Sequence, residues 1–307
     1  MLYTVTLDPL LERAVGVEEL VYDDVNCIIE EHKKPGGKGI DVSRVIKELG
    51  GESIALGFAG GYSGLELTDM LIGEGIVSDF ARINSESRSS ITIYQRKKKI
   101  RTLLCTPSPA ISQAEVDSFF EKANEIPPGS DVVISGNVPA GLDEGIFARL
   151  IKALKKRNIK VFLDSDQEAF KLGVDAAPFL IKPNIFEFNR LSGGSVSEVK
   201  EIAEAVKHYR DSVEYIIVSM GGRGALGFSK EGDYHARPPK VKVRNSLGAG
   251  DSLLGGVVSV MSKSGPFEEA LRVGVACGAA ATLGISGSLC KKTDVDSIKK
   301  EVIIEKF

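Results

Sequence analysis

From residue 52 onward the chain alternates short apolar runs with segments of helical periodicity, and few architectures accept that rhythm. Residues 54–59 form an apolar run ending in Gly60-Gly61, and residues 65–72 carry apolar positions at helical spacing. After Pro107-Ser108-Pro109 the pattern resumes. Residues 116–123 read as helix, 131–136 as strand, and 145–156 as helix with Ile146, Phe147, Leu150, Ile151 and Leu154 on one side. Strands follow at 160–164, 179–184 and 215–219, with an amphipathic helix over 196–209 before the last. This alternation predicts an α/β fold, a mostly parallel sheet covered by helices on both faces. Polar residues at the strand ends (Asn137, Asp164, Ser165, Asn184, Ser219) then line one edge, where open α/β sheets bind ligands. Two segments break the rhythm. Residues 25–32 are strand-like, and 89–95 with 100–105 bracket the basic turn Arg96-Lys97-Lys98-Lys99 as a hairpin. They predict a small sheet standing off the main one.

Composition excludes several classes of function. Lys+Arg 39 against Asp+Glu 42 leaves a net charge of -3, so neither a nucleic-acid nor a membrane surface is expected. The N-terminus lacks a basic n-region and reads as a first strand ending in Asp8-Pro9, with Glu12 and Arg13 just beyond it. The weakly polar stretches 253–261 and 273–285 fall short of a bilayer span and read as buried helices. Cys27, Cys105, Cys277 and Cys290 show neither metal nor redox spacing, which points to a reduced, cytoplasmic enzyme without structural zinc.

Chemistry concentrates at two glycine-rich junctions. Asn245-Ser246-Leu247-Gly248-Ala249-Gly250-Asp251-Ser252 runs into an apolar helical segment. Gly248 and Gly250 leave backbone N–H groups uncovered, and the helix adds unsatisfied donors and the positive end of its dipole. Asp251 puts a carboxylate beside that anion site, which suits a group that takes a proton from a hydroxyl during phosphoryl transfer. The bland alternative is a helix start with Gly for the turn and Asp as dipole partner. The second junction, Lys33-Lys34-Pro35-Gly36-Gly37-Lys38-Gly39-Ile40-Asp41, also opens a helix but lacks the Walker A spacing, and alone it is equally a surface turn. Gly222-Arg223-Gly224-Ala225-Leu226-Gly227 fits a dinucleotide fingerprint, yet a strand and a hairpin turn follow where that motif requires a helix.

Three landmarks, Gly36-Gly37-Lys38-Gly39, Asn184-Ile185-Phe186-Glu187 and Gly248-Ala249-Gly250-Asp251, occur in an order that resembles the ribokinase-like (PfkB) sugar kinases over nearly the whole chain. Within that family the likeness is to the branch acting on sugar phosphates: 1-phosphofructokinase, tagatose-6-phosphate kinase and a minor 6-phosphofructokinase. It is carried by Thr6-Leu7-Asp8-Pro9-Leu10-Leu11-Glu12, the 33–44 block, Ser87-Arg88-Ser89-Ser90-Ile91 and Ser135-Gly136-Asn137-Val138-Pro139-Ala140-Gly141-Leu142. The resemblance implies a single ribokinase-like domain over 1–307, with lid strands inserted at about 12–34 and 87–106. It implies Asp251 as base, with the amides of Gly248, Ala249 and Gly250 on the γ-phosphate. Lys38 and Arg88 would hold the sugar's phosphate, and Glu12, Gly37, Asp41 and Asn137 would complete the acceptor pocket. Asn184, Ser219, Gly221, Gly222 and Gly224 would lie along the nucleotide. ATP and Mg²⁺ are the implied cofactors, with Glu187 reaching the metal through water.

The implied reaction is ATP-dependent phosphorylation of a phosphorylated ketohexose, most simply fructose 1-phosphate. The two sister activities, a kinase of an unphosphorylated sugar or nucleoside, and a non-catalytic sugar-phosphate sensor are the alternatives. A homodimer through the lid is also within the family's habit. Three residues depart from the branch. Asp8 stands for its Asn, Glu12 for its sugar-binding Asp, and Asp41 for its second Asn, so the alterations fall where the acceptor is recognised.

Overall fold

The computed structural model describes residues 1–284 and 289–307; Ile285, the last residue of the stretch 273–285, lies outside them. Among the described residues, a large sheet of eleven strands holds a parallel centre. Strand Leu2–Thr6 pairs with Ile54–Gly60 on one side and Asp131–Ser135 on the other. The parallel run continues through Lys160–Asp164, Leu180–Ile181 and Tyr215–Ser219. The far edge turns antiparallel through Ala225–Phe228, Asp233–Arg237 and Ile303–Lys306. The central strands carry apolar residues at successive inner positions because both faces are buried. Val132 and Ile134 join one core cluster and Val133 the other; Val161 and Leu163 oppose Phe162 in the same way.

Helices Gln113–Glu125, Ile146–Lys155, Gln167–Asp175, Ile185–Ser192 and Val199–Val206 cover the first face; Lys38–Glu48, Ala249–Met261 and Phe267–Ala281 cover the second. On that second face two helices pack unusually close. A Cβ at Gly255 would sit 2.6 Å from Val45 Cγ1, so helix Ala249–Met261 lies directly on helix Lys38–Glu48. That contact carries the two glycine-rich junctions to the same end of the sheet.

The small sheet is real but its first strands differ from the expectation. Its order is Glu30–Gly36, Leu10–Val17, Arg88–Gln95, Ile100–Cys105. Residues 25–29 are not strand, and Glu12 and Arg13 lie inside one. The reason is burial. Val25 and Ile28 are 86% and 57% exposed, whereas Leu11, Val15 and Val17 face inward, and β-forming composition makes a strand only where a face is covered. The expected strand 179–184 shrinks to Leu180–Ile181, and the helix over 196–209 becomes Val199–Val206 followed by a 3₁₀ turn. The basic turn caps the hairpin, where Arg96 reaches Glu30 and Lys97 and Lys98 both reach Glu19.

The glycine-rich decoy resolves as a hairpin. Ala225–Phe228 and Asp233–Arg237 pair antiparallel. Gly224 has φ 85°, and a Cβ there would lie 1.9 Å from the Ala236 carbonyl oxygen of the neighbouring strand. Its glycine serves that close approach.

Candidate active site

Gly248 adopts a left-handed conformation (φ 80°, ψ -4°) and starts helix Ala249–Met261 with Asp251 in the first turn. Gly37 (φ 126°) starts helix Lys38–Glu48. Both helix starts open into one cleft of about 230 Å³ at the C-terminal edge of the sheet. Its lining brings together Gly37, Lys38 and Asp41 from one junction and Gly248 and Asp251 from the other. Glu12 and Arg88 enter from the small sheet and Asn137 from the loop after strand Asp131–Ser135. Ala249 and Gly250 continue the same helix start. The sequence scattered these residues over 239 positions, from Glu12 to Asp251 (251 minus 12); the fold gathers them.

Behind Lys38 and Asp251, which line the cleft, lies a network of buried charge. Lys182, at the end of strand Leu180–Ile181, lies 3.3 Å from Asp164 Oδ1, and both side chains are almost fully buried. Lys38 Nζ stands 3.9 Å from Asp164 and 3.9 Å from Glu187 Oε1, and its pKa is raised, by Asp164 foremost and by Asp251 and Glu187 in turn. Lys182 also runs beneath the anion-binding turn, 3.7 Å from where a Cβ on Gly250 would stand. Asp251 is open to the cleft along one edge and otherwise enclosed. Burial, with Asp41 and Asp164 adding repulsion, pushes its pKa to about 7; Lys38 and Lys182 pull the other way. A carboxyl titrating there is tuned for accepting a proton near neutral pH.

Glu187 is buried and forms a capping box with Asn184. Asn184 Oδ1 accepts from the Phe186 and Glu187 amides at 2.9 and 3.0 Å, and Glu187 Oε2 accepts from the Asn184 amide at 2.7 Å. That leaves Oε1 facing Lys38, and burial raises the Glu187 pKa. Ser219 bridges to Asn184 at the strand ends, and Gly221 and Gly222 follow on an exposed 3₁₀ turn closed by Gly224. The nucleotide-side candidates therefore form their own line along the sheet edge, outside the cleft lining.

On the acceptor side each departing acid has a basic partner. Arg88 Nε lies 2.8 Å from Asp8 Oδ2, Lys34 Nζ 3.2 Å from Glu12, and Arg44 3.5 Å from Asp41. Asp41 thus sets its charge against Arg44 and Lys34 beside Glu12. Burial first raises its pKa to about 6.

Residues 3–294 match the family described as pfkB family carbohydrate kinase. This chain belongs to that family. It is 36% identical over 281 residues to a 1-phosphofructokinase of Bacillus subtilis, covering 91% of this chain and 92% of that protein. It is 32% identical to a 1-phosphofructokinase of Borreliella burgdorferi, covering 99% and 98%. The crystal structure of phosphofructokinase-2 from Escherichia coli in complex with potassium superimposes with a TM-score of 0.92 at 29% identity, covering 98% of both chains.

Sequence alone does not single out Lys182 as part of this charge network, and it gives Asp164 only as a strand-end polar residue. A signal existed. A lysine directly after the apolar run Phe179-Leu180-Ile181 and before Pro183 is placed to be a buried cation, and a buried cation needs an acid nearby.

Proposed function

We propose that the chain is a 1-phosphofructokinase, transferring the γ-phosphoryl group of ATP to fructose 1-phosphate to give fructose 1,6-bisphosphate and ADP. The observation that carries this is the cleft itself, where the Asp251 carboxylate at a helix N-terminus shares one lining with Arg88 and Lys34. The names of the two curated relatives support the choice of ketohexose. Asp251 takes the proton of the acceptor hydroxyl as its oxygen attacks the γ-phosphorus and the bond to ADP breaks. The amides of Gly248, Ala249 and Gly250, with the helix dipole, meet the charge on the transferring group. Lys38, expected to hold the sugar's phosphate beside Arg88, stands 3.9 Å from both Asp164 and Glu187 and so balances the charge of the transferring group instead. Arg88 holds the phosphate already on the sugar. Asn184, Ser219 and the Gly221–Gly224 turn hold the nucleotide.

The acids fit a hydrated Mg²⁺. Asp164 Oδ1 is ion-paired with Lys182 at 3.3 Å, and it and Glu187 Oε1 both stand 3.9 Å from Lys38, a pair of carboxylates of the kind Mg²⁺ takes with its waters. When bound, the metal would neutralise phosphate charge; Glu187 and Asp164 would hold it. We place the enzyme in the cytoplasm, where ATP and sugar phosphates occur; among the described residues no helix is long and apolar enough to cross a membrane.

An ADP-release assay across fructose 1-phosphate, fructose 6-phosphate and tagatose 6-phosphate tests the reading, and the first is expected to give the highest kcat/KM. Arg88→Ala is expected to raise KM for the sugar phosphate about tenfold or more. Inactivity on all three sugars would sink the proposal.

The small sheet acts as a lid over the acceptor and pairs two copies. Its outer strand leaves Ile100, Leu103 and Leu104 48%, 62% and 51% exposed, an apolar surface that a second lid would cover. Sedimentation velocity is expected to show a dimer that Leu103→Glu dissociates; a wild-type monomer at micromolar concentration would refute it.

A further inference from the structure

The cleft contains a buried acceptor atom with no hydrogen-bond partner among the described residues. Asp8 connects strand Leu2–Thr6 to strand Leu10–Val17 and is 9% exposed. Its Oδ2 is engaged twice. Ser108 Oγ donates to it at 2.9 Å, and Arg88 Nε stands 2.8 Å away as an ion pair. Oδ1 has no hydrogen-bond partner among the described residues, although the side chain lines the cleft beside Glu12, Lys38 and Arg88. Native proteins seldom leave such an oxygen bare, because a desolvated acceptor with no donor is costly.

We infer that Asp8 is a specificity-determining residue of the acceptor site: its Oδ1 accepts a hydrogen bond from a sugar hydroxyl next to the phosphate held by Arg88. The inference rests on the reading of this cleft as the acceptor site of a sugar-phosphate kinase. Asp8 meets Arg88 through Nε, which leaves the two terminal nitrogens of the guanidinium for phosphate oxygens. One residue pair then reads two features of one ligand, a phosphate and a hydroxyl beside it. An ionised carboxylate is acceptor-only, so it selects a donor at that position. It also rejects an anion there, since a second phosphate or a carboxylate would meet like charge in a partly desolvated site. The class of acceptor is therefore a hydroxyl-bearing sugar monophosphate.

Two substitutions separate the acceptor oxygen from the charge. Asp8→Asn keeps an oxygen in place and is expected to hold KM for the sugar phosphate within about threefold of wild type. Asp8→Ala removes the oxygen and is expected to raise that KM about tenfold or more, with kcat and KM for ATP little changed. A merely structural role would not produce this split, because it would move the ATP KM and kcat as well. Should Asp8→Ala melt below the assay temperature, the near-isosteric Asp8→Leu serves in its place. Unchanged sugar KM in the alanine or leucine variant overturns the inference. Equal loss in Asp8→Asn and Asp8→Ala also overturns it, by assigning the effect to the charge on Arg88. Failure of the broader reading looks different: the wild-type protein would then turn over no ketohexose phosphate, and both would fall together.

Discussion

Asp251→Asn is expected to lower kcat by about two to four orders of magnitude, the usual worth of a positioned general base, while ATP still binds. Asparagine keeps the shape and the hydrogen-bond acceptor but cannot take the proton. ATP affinity, followed by isothermal titration, should change little because the amides of the helix start remain. The wild-type kcat/KM should fall about tenfold per pH unit below about pH 7, since the carboxyl, pushed up to about 7 chiefly by burial, must be ionised to act. The same shift has a stability side. A folded-state pKa raised above the ordinary 3.8 means that protonation favours the fold. Stability from this group is fully present below about pH 4 and is lost as pH rises through about 7. The Asn variant should therefore melt higher than wild type at pH 8 while being nearly inactive. Turnover that survives the substitution would remove Asp251 as the base.

Lys182→Met is expected to destabilise the protein by about 3–5 kcal/mol, the range seen when one partner of a buried ion pair is removed. Lys182 and Asp164 have 3% and 2% of their side-chain surface exposed and stand 3.3 Å apart, so neither charge has water to fall back on. Lys38, at 3.9 Å from Asp164, compensates only in part. A chemical denaturation curve measures the loss, and the double variant Asp164→Leu with Lys182→Met should recover most of it, because no lone charge is then buried. Lys182 also lowers the Asp251 pKa, so the acid limb of the rate profile should move to higher pH in the single variant. A fully stable Lys182→Met protein with an unmoved limb would show that the network does not depend on this lysine.

The parts of this protein that were legible in its sequence are those set by local physics. The alternation of apolar runs and helical periodicity follows from burial on both faces of a parallel sheet, and the structure carries it strand by strand. Gly248-Ala249-Gly250-Asp251 could be read as a candidate anion-binding helix start because a left-handed glycine and the unsatisfied donors of a helix start are properties of the backbone there, although the Ala249 amide itself donates to the Ser246 carbonyl at 3.4 Å. The Gly222–Gly227 decoy could be rejected because a hairpin turn follows it. Of the expected strand 25–32, residues 30–32 belong to strand Glu30–Gly36 and 25–29 do not; composition suggests a strand there, yet nothing in the sequence says which side will be covered. Leu10–Val17 became the strand because its alternate residues found a core.

The charge network lay beyond local reading. Asp164, Lys182, Glu187, Lys38 and Asp251 come from five separate segments, and their proximity depends on strand order and on Gly255 admitting Val45 at close range. The sequence by itself determined a doubly covered parallel sheet, two glycine-rich helix starts and the chemical types at each. Only the tertiary structure decided that both starts face one cleft, that Asp8 pairs with Arg88, and that burial beside other acids lifts Asp251 to about 7. The reason is physical: a backbone turn is fixed by its own few residues, whereas a pKa and an ion pair are fixed by whatever the fold brings within a few ångströms.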